Sequence, residues 1–360
     1  MTKSNPDAPD RAWLDVDLGA IVRNARHFQE LIGSPLLPMV KADGYGLGAV
    51  PVARALEALD PWGYGVATHD EGTRLRGAGI TRPLLVFTPL GTRQIEQFRA
   101  DRLRPVIGDL PALDAWLAAV AGPFHIEIDT GMSRAGFRWH DEALISALAG
   151  RLRGAAGWEG IFTHFHSADS DEPATREQAE RFARVLAAID SRPALVHAAS
   201  SAAAQYRHTF GADLARPGIY LYGGRTGSLQ PEAVATLCAR VVAVRRLRPG
   251  DTVSYGAEAN IEADTTIATI GIGYGDGVPR ALGGRGLVEL RDSIVPIVGR
   301  VTMDMVMVDV GDMPVTIGDV AVIFGGLVPL DQQAALVGTV SYELLTMLTP
   351  RVPRRYRSGP

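Results

Sequence analysis

Short apolar runs recur along the first two-thirds of the chain. They fall at residues 36–40, 63–67, 84–88, 104–107, 124–129, 160–164, 194–198 and 213–216. Each is too short for a buried helix, and Gly, Pro or Asp bounds most of them, which is the pattern of a buried strand. Between most of them lie Ala/Leu/Arg-rich stretches with helical spacing, such as 112–120 and 176–189. Eight strands alternating with helices predict a parallel (β/α)8 barrel of the TIM type. A doubly wound open sheet would show a similar alternation, and periodicity alone does not separate the two. From about residue 231 the pattern changes. Runs at 241–245, 253–255, 265–270, 287–290, 294–298, 303–310 and 320–324 are divided by Gly, Pro and Asp with little helix between. They predict a mostly-β C-terminal domain. The glycine-rich stretch 223–228 sets the boundary, giving a barrel over 19–228 and a β domain over 229–360. The opening strand, about 11–18, precedes the first barrel helix and is free to pair with the β domain.

Composition narrows the class. The chain has 360 residues, 46% of them hydrophobic, ample for two cores. No apolar stretch is long enough to span a bilayer. The first ten residues are polar and proline-bearing, without the apolar segment of a secretory signal. Cys238 is the single cysteine, so no intrachain disulfide forms and the reducing cytoplasm is the expected compartment. The net charge of −4 comes with no long basic run. Arg351, Arg354, Arg355 and Arg357 are interrupted by prolines and read as a solvated or interface tail, not a nucleic-acid patch. Neither a membrane nor a nucleic-acid partner is expected, and no metal site.

The chemistry concentrates around Lys41, in Pro38-Met39-Val40-Lys41-Ala42-Asp43-Gly44-Tyr45-Gly46. A lysine at the end of an apolar strand has two explanations. Its ammonium can snorkel to water, or it can sit in a partly apolar pocket where a lowered pKa makes it a nucleophile. Barrel chemistry gathers at the C-terminal ends of strands. Lys41 ends the first predicted strand, Arg134 follows the fifth, His164 ends the sixth, Ser201 follows the seventh and Arg216 ends the eighth. These residues share one face of the predicted barrel.

The run Val40–Gly48 resembles the cofactor-lysine signature of the alanine racemases, Val-Lys-Ala-x-x-Tyr-Gly-x-Gly. Further segments resemble the family in order: Glu127–Arg134, Gly160–Phe165, His197–Ala202, Arg216–Gly223, Val253–Ala257, Gly299–Asp304 and Val340–Glu343. The resemblance implies that Lys41 carries pyridoxal 5′-phosphate covalently. It implies that Tyr45, Ser201, the N–H groups of Gly218 and Ile219, and Tyr342 hold the phosphate. Arg216 would face the pyridine nitrogen. Arginine keeps its proton, so that nitrogen would stay unprotonated and the ring would be a restrained electron sink. Lys41 and Tyr255 of the partner subunit would serve opposite faces of the substrate Cα. A free tyrosine, with a pKa of about 10, is a poor base near neutrality. His164 is expected to hydrogen-bond Tyr255 and to contact Arg216. Arg134 and the Met303 backbone would meet the substrate carboxylate, with Asp304 in support.

Two departures stand out. Thr302 occupies a place where many members have cysteine. Glu127 occupies the place of a lysine that many members carry carbamylated; it is expected to hydrogen-bond and orient Arg134 without modification. The implied function is an isomerase interconverting L- and D-alanine for peptidoglycan. The implied assembly is a homodimer with shared active sites, in the cytoplasm. Taken singly, other readings stay open: Ser201 as a helix cap, His164 as a core histidine, Tyr255 at a strand edge, Tyr342 packed at a helix start, Met303-Met305-Met307 as a buried strand face. A racemase of serine or another amino acid, a decarboxylase of the same fold and a non-catalytic cofactor carrier are the alternatives. Gly271–Gly277 has the wrong spacing for a dinucleotide fingerprint.

Overall fold

The computed structural model describes residues 10–120, 122–210 and 213–357. The polar stretch 1–9 lies outside them. The chain divides into two compact units. One holds Ile21–Leu221 with Arg225–Pro231; the other holds everything up to Ala20, Tyr222–Gly224 and Glu232 to the C-terminus.

In the first unit, six strands lie side by side in the order Tyr64–Val66, Leu84–Val86, Arg104–Ile107, Phe124–Asp129, Trp158–Phe162 and Leu195–His197. Every neighbouring pair is parallel. The predicted strands at 36–40 and 213–216 do not form regular strands. They join the ring through single parallel bridges, Leu36 to Ala215, Met39 to Gly65 and Ser200 to Arg216. The Val40 N–H donates to Gly65, Leu37 to Ala215 and Arg216 to Ala199, closing an eight-membered barrel. Proline explains the irregularity. Pro35, Pro38 and Pro217 lack the N–H groups a continuous ladder needs. Leu37, Leu85, Val106, Phe162 and Leu214 pack together in the core. Aspartates set the outer helices: Asp109, Asp141 and Asp171 each accept a first-turn N–H at the start of Leu110–Ala118, Glu142–Leu152 and Glu172–Ile189.

In the second unit the opening strand is Ala12–Asp17. It pairs antiparallel with the 13-residue strand Ala235–Leu247 and parallel with Arg354–Arg357. The arginine tail is therefore an edge strand with fixed partners, not a free solvated tail. Arg355 pairs with Asp10 at 2.7 Å and stacks 4.2 Å from the Trp13 ring. Arg357 pairs with Asp15 at 2.9 Å. Two other expectations change here. The strand expected at 303–310 is only Val306–Asp309, so Met303 and Asp304 lie in the turn before it. Met303 and Met305 are exposed, so the methionine stripe is not a buried strand face.

Candidate active site

Lys41 opens a turn that is unusual for its handedness. Ala42, Asp43, Gly44, Tyr45 and Gly46 have φ of 51°, 53°, 63°, 54° and 80°. Three of these residues carry a Cβ, and each costs about 1–2 kcal/mol in the left-handed region. Hydrogen bonds offset the strain. The Gly44 N–H donates to Val40 O at 2.8 Å, Gly46 to Ala42 O at 2.8 Å and Gly48 to Asp43 O at 2.7 Å. The Asp43 carboxylate accepts the Ala49 N–H at 3.0 Å. Glu71 accepts from Ala42 at 2.7 Å and from Ala67 at 2.6 Å, tying the ends of the first two barrel segments. The Lys41 ammonium titrates below its ordinary value. Burial is the main cause, the Arg134 charge adds to it, and Glu71 partly opposes it. A lysine poised as a nucleophile needs that direction of shift.

Across the barrel mouth, the Ser201 hydroxyl accepts the Gly218 N–H at 2.7 Å and the Tyr220 N–H at 3.5 Å. A Cβ on Gly218 would stand 2.4 Å from the Tyr45 hydroxyl, so glycine is required where backbone and phenol meet. The N–H of the buried Ile219 makes no hydrogen bond among the described residues. Two hydroxyls and the amides at the start of a turn suit a phosphate.

Arg216 is buried and held on several sides. It donates from Nη1 to His197 Nδ1 at 2.6 Å and from Nη2 to Thr163 O at 2.8 Å and Ala198 O at 3.2 Å. Its guanidinium lies 5.0 Å from the Phe162 ring centre. Burial disfavours its charge, the Glu127 carboxylate counters that, and Arg134 adds a repulsion. His164 Nδ1 lies 3.4 Å from Arg216 Nη2, a long contact. Burial, with the charges of Arg216, Arg134 and Lys41, pushes His164 down to about 3. The imidazole is therefore neutral through the physiological range.

Glu127 is buried on the strand Phe124–Asp129. Burial raises its carboxyl pKa, while Arg134 and Arg216 oppose the rise. The expected hydrogen bond from Arg134 to Glu127 is absent: no ion pair within 4.0 Å joins them. Arg134 sits in an exposed turn held by Asp129, which accepts the N–H groups of Gly131 and Ser133 at 3.0 Å each. Glu127 and Arg134 are coupled through charge, not contact.

The second unit carries the remaining residues. Tyr255 is not at a strand edge but opens the 3-10 turn Tyr255–Ala257 after the strand Thr252–Val253. Ser254 has φ of 70°, and its hydroxyl donates to Arg300 O at 2.9 Å. Tyr255 is 71% exposed and Met303 52% exposed. Asp304 accepts from Arg351 Nη2 at 2.6 Å. The fully buried Asp276 side chain accepts from Arg11 at 2.7 Å and forms an ion pair with Arg351 at 3.2 Å. A Cβ on Gly273 would stand 2.3 Å from Thr302 O, so the glycine-rich segment backs the Met303 turn. Tyr342 is exposed in the first turn of Ser341–Thr346.

Two family models account for nearly the whole chain: residues 16–226 match the alanine racemase N-terminal domain and 234–356 the C-terminal domain. The chain belongs to the alanine racemase family. It is 37% identical over 362 residues to an alanine racemase of Desulfovibrio desulfuricans, covering 96% of this chain and 97% of that one. It is 36% identical to alanine racemase 2 of Bacillus subtilis, covering 96% and 94%. The crystal structure of the alanine racemase from Streptomyces lavendulae superposes with a TM-score of 0.91 at 31% identity, covering 98% of this chain and 99% of that one. An alanine racemase from Bartonella henselae, solved with covalently bound pyridoxal phosphate, gives 0.91 at 28% identity, covering 97% and 100%.

Several residues around this alanine racemase site escaped sequence reasoning. Glu71 braces the Lys41 turn. Gln178, buried on the helix Glu172–Ile189, donates to Thr130 Oγ1 at 3.2 Å and His164 O at 3.3 Å, and accepts the His166 N–H at 2.9 Å. His197 and His125 are wholly buried. The available signal was a polar residue inside an apolar pattern, which marks a required hydrogen bond without naming its partner.

Proposed function

We propose that this chain interconverts L- and D-alanine with pyridoxal 5′-phosphate as cofactor, acting as a homodimer whose subunits complete each other's sites. The observation that carries the reading is Lys41: a lysine of lowered pKa, fixed by a left-handed turn beside the Tyr45–Ser201–Gly218 cradle and facing charged Arg134. The cradle fits a phosphate, and Arg216 offers a donor-only partner to a ring nitrogen. Bound there, pyridoxal phosphate supplies an electron-withdrawing ring that acidifies the substrate Cα–H.

The chain's own residues do the rest. Lys41 Nζ would hold the cofactor at rest and move a proton on one face of Cα. The Tyr255 hydroxyl of the partner subunit would move it on the other. The large exposure of Tyr255 and Met303 supports their use across an interface. Arg134 and the Met303 backbone would fix the substrate carboxylate. Neutral His164 would hydrogen-bond Tyr255 without adding a charge. Tyr342 would reach the phosphate and Asp304 would hold the Met303 turn through Arg351. The D-alanine would feed peptidoglycan precursors in the cytoplasm. Among the described residues no helix is long and apolar enough to cross a membrane.

A decarboxylase of this fold would need a reactive thiol. Cys238 is buried, and burial pushes its thiol up to about 12, so it is inert. A mere cofactor carrier leaves the whole C-terminal family match without a use. The test is chiral chromatography of L-alanine incubated with the purified, cofactor-loaded chain, with serine in parallel. An equal mixture of L- and D-alanine is expected from L-alanine; no inversion of alanine would end the reading.

Glu127 yields a separate expectation. Activity should be indifferent to added bicarbonate, because a carboxylate is already present. Glu127→Ala should lower kcat/KM for alanine by about tenfold, since Arg134 and Arg216 lose a buried counter-charge. Unchanged steady-state kinetics in that variant would remove the role.

A further inference from the structure

A chain of polar side chains runs through the barrel interior from one mouth to the other. It starts where the strands Arg104–Ile107 and Trp158–Phe162 begin. There Arg104 grips Glu159 with Nε at 2.6 Å and Nη2 at 3.2 Å. Glu159 Oε2 lies 3.2 Å from His125 Nε2. His125 Nδ1 lies 2.9 Å from His197 Nε2. His197 Nδ1 lies 2.6 Å from Arg216 Nη1, at the opposite mouth among Lys41, His164 and Ser201. Both imidazoles are completely buried.

The donor chemistry gives this chain a direction. Guanidinium has only donors, so His197 Nδ1 must accept. In a neutral ring the other nitrogen, Nε2, then carries the proton and donates to His125 Nδ1. His125 in turn carries its proton on Nε2 and donates to the Glu159 carboxylate, which only accepts. The two ends agree on one tautomer for each ring. Burial and the Arg216 charge hold His197 well below its ordinary pKa, and burial lowers His125 although Glu159 opposes. His125 and Arg104 hold the Glu159 carboxyl below its usual range despite burial.

The barrel is shaped to let the chain through. A Cβ on Gly160 would stand 2.3 Å from His125 Nδ1, so any other residue there displaces the ring. Phe162 stacks on the His197 ring at 4.9 Å with 17° between planes, and the Arg216 guanidinium lies 5.0 Å from the centre of the same Phe162 ring. A core that merely needed filling would use apolar side chains, since buried polar groups cost free energy unless every one is satisfied.

We propose that Glu159 is a positioning residue that acts through His125 and His197 to fix the orientation and donor direction of Arg216 at the far end of the barrel. The inference rests on the reading of Arg216 as the partner of the cofactor ring, but its core claim concerns the unloaded chain. Glu159 makes His125 a committed donor. That makes His197 Nδ1 a committed acceptor, which pins Nη1 and leaves the rest of the guanidinium aimed by Thr163 and Ala198. Without Glu159 the two rings can reverse, and a reversed His197 would present an N–H to a guanidinium N–H.

Nitrogen-15 NMR of ring-labelled histidine in the parent protein, without cofactor, is the first measurement. Both buried imidazoles should be neutral, protonated on Nε2 and bare on Nδ1. An imidazolium or an Nδ1–H form at either ring overturns the relay, and this arm requires no variant. Glu159→Leu should shift the His125 signals toward the Nδ1–H form. It should also lower kcat for alanine about tenfold or more, with KM changed far less. Glu159→Gln, which keeps an acceptor, should restore most of the loss. Gly160→Ala should reproduce the tautomer shift from the other side. Variants that reverse the rings yet keep parental kcat would overturn the link to Arg216. A parent chain with the right tautomers but no alanine inversion would fault the proposed function and leave the relay standing.

Discussion

Lys41→Ala is expected to lower kcat/KM for alanine by about 10³-fold or more in both directions, because one group both holds the cofactor and handles a proton. Borohydride treatment of the loaded parent should leave a covalent pyridoxal label on the peptide containing Lys41, and the variant should carry none. Lys41→Arg should fare no better. A guanidinium keeps its proton at any working pH and offers no free electron pair. A variant that stayed within about tenfold of the parent would show that the amine is not the proton carrier.

The second large effect concerns Tyr255. Tyr255→Phe removes one hydroxyl from a side chain that is already mostly exposed, so stability should barely move. Inversion should fall by about 10²–10⁴-fold. Exchange of the alanine α-hydrogen with solvent deuterium should persist for one enantiomer, the one whose hydrogen faces Lys41. That asymmetry is the mark of two handlers on opposite faces, and its absence would argue for a single base. The two variants together also test the shared site. Separately, the Lys41→Ala and Tyr255→Phe chains should each retain about a hundredth of parental activity or less. Mixed and allowed to exchange, about half the dimers become hybrids, each with one intact site if the site spans two chains. About a quarter of parental activity should then return. If each chain holds its own complete site, mixing restores nothing.

Why the lysine sits where it does is a question of strain as much as of sequence. The run after Lys41 asks Ala42, Asp43 and Tyr45 to adopt left-handed backbone, at a steric cost to each. Glu71, on a helix that follows the second barrel segment, accepts one hydrogen bond from Ala42 in the turn and one from Ala67 at the end of that segment, tying the two together. The same carboxylate keeps the lysine from losing its charge as readily as burial alone would make it. Geometry and titration at Lys41 thus share one support.

The linear sequence was enough to nominate candidate residues for the chemistry. Strand-length apolar runs indicated which residues follow the C-terminal ends of the strands, because parallel barrel strands all point the same way. The motifs around Lys41, Ser201 and Arg216 were local, so their residue types could be read without knowing the fold. Local reading also had clear limits. Pro35, Pro38 and Pro217 turned two expected strands into bridging segments, and Ser254 with Gly256 turned Tyr255 out of its strand into a tight turn. Contacts between residues far apart in the chain were decided only by the tertiary structure. The missing Glu127–Arg134 bond was one of these; the Glu71 brace and the line from Glu159 through two histidines to Arg216 join residues up to 72 positions apart, His125 to His197. Periodicity reports which face of an element is buried. It carries no information about which buried polar atom on one strand meets which on another, because that depends on barrel closure and register.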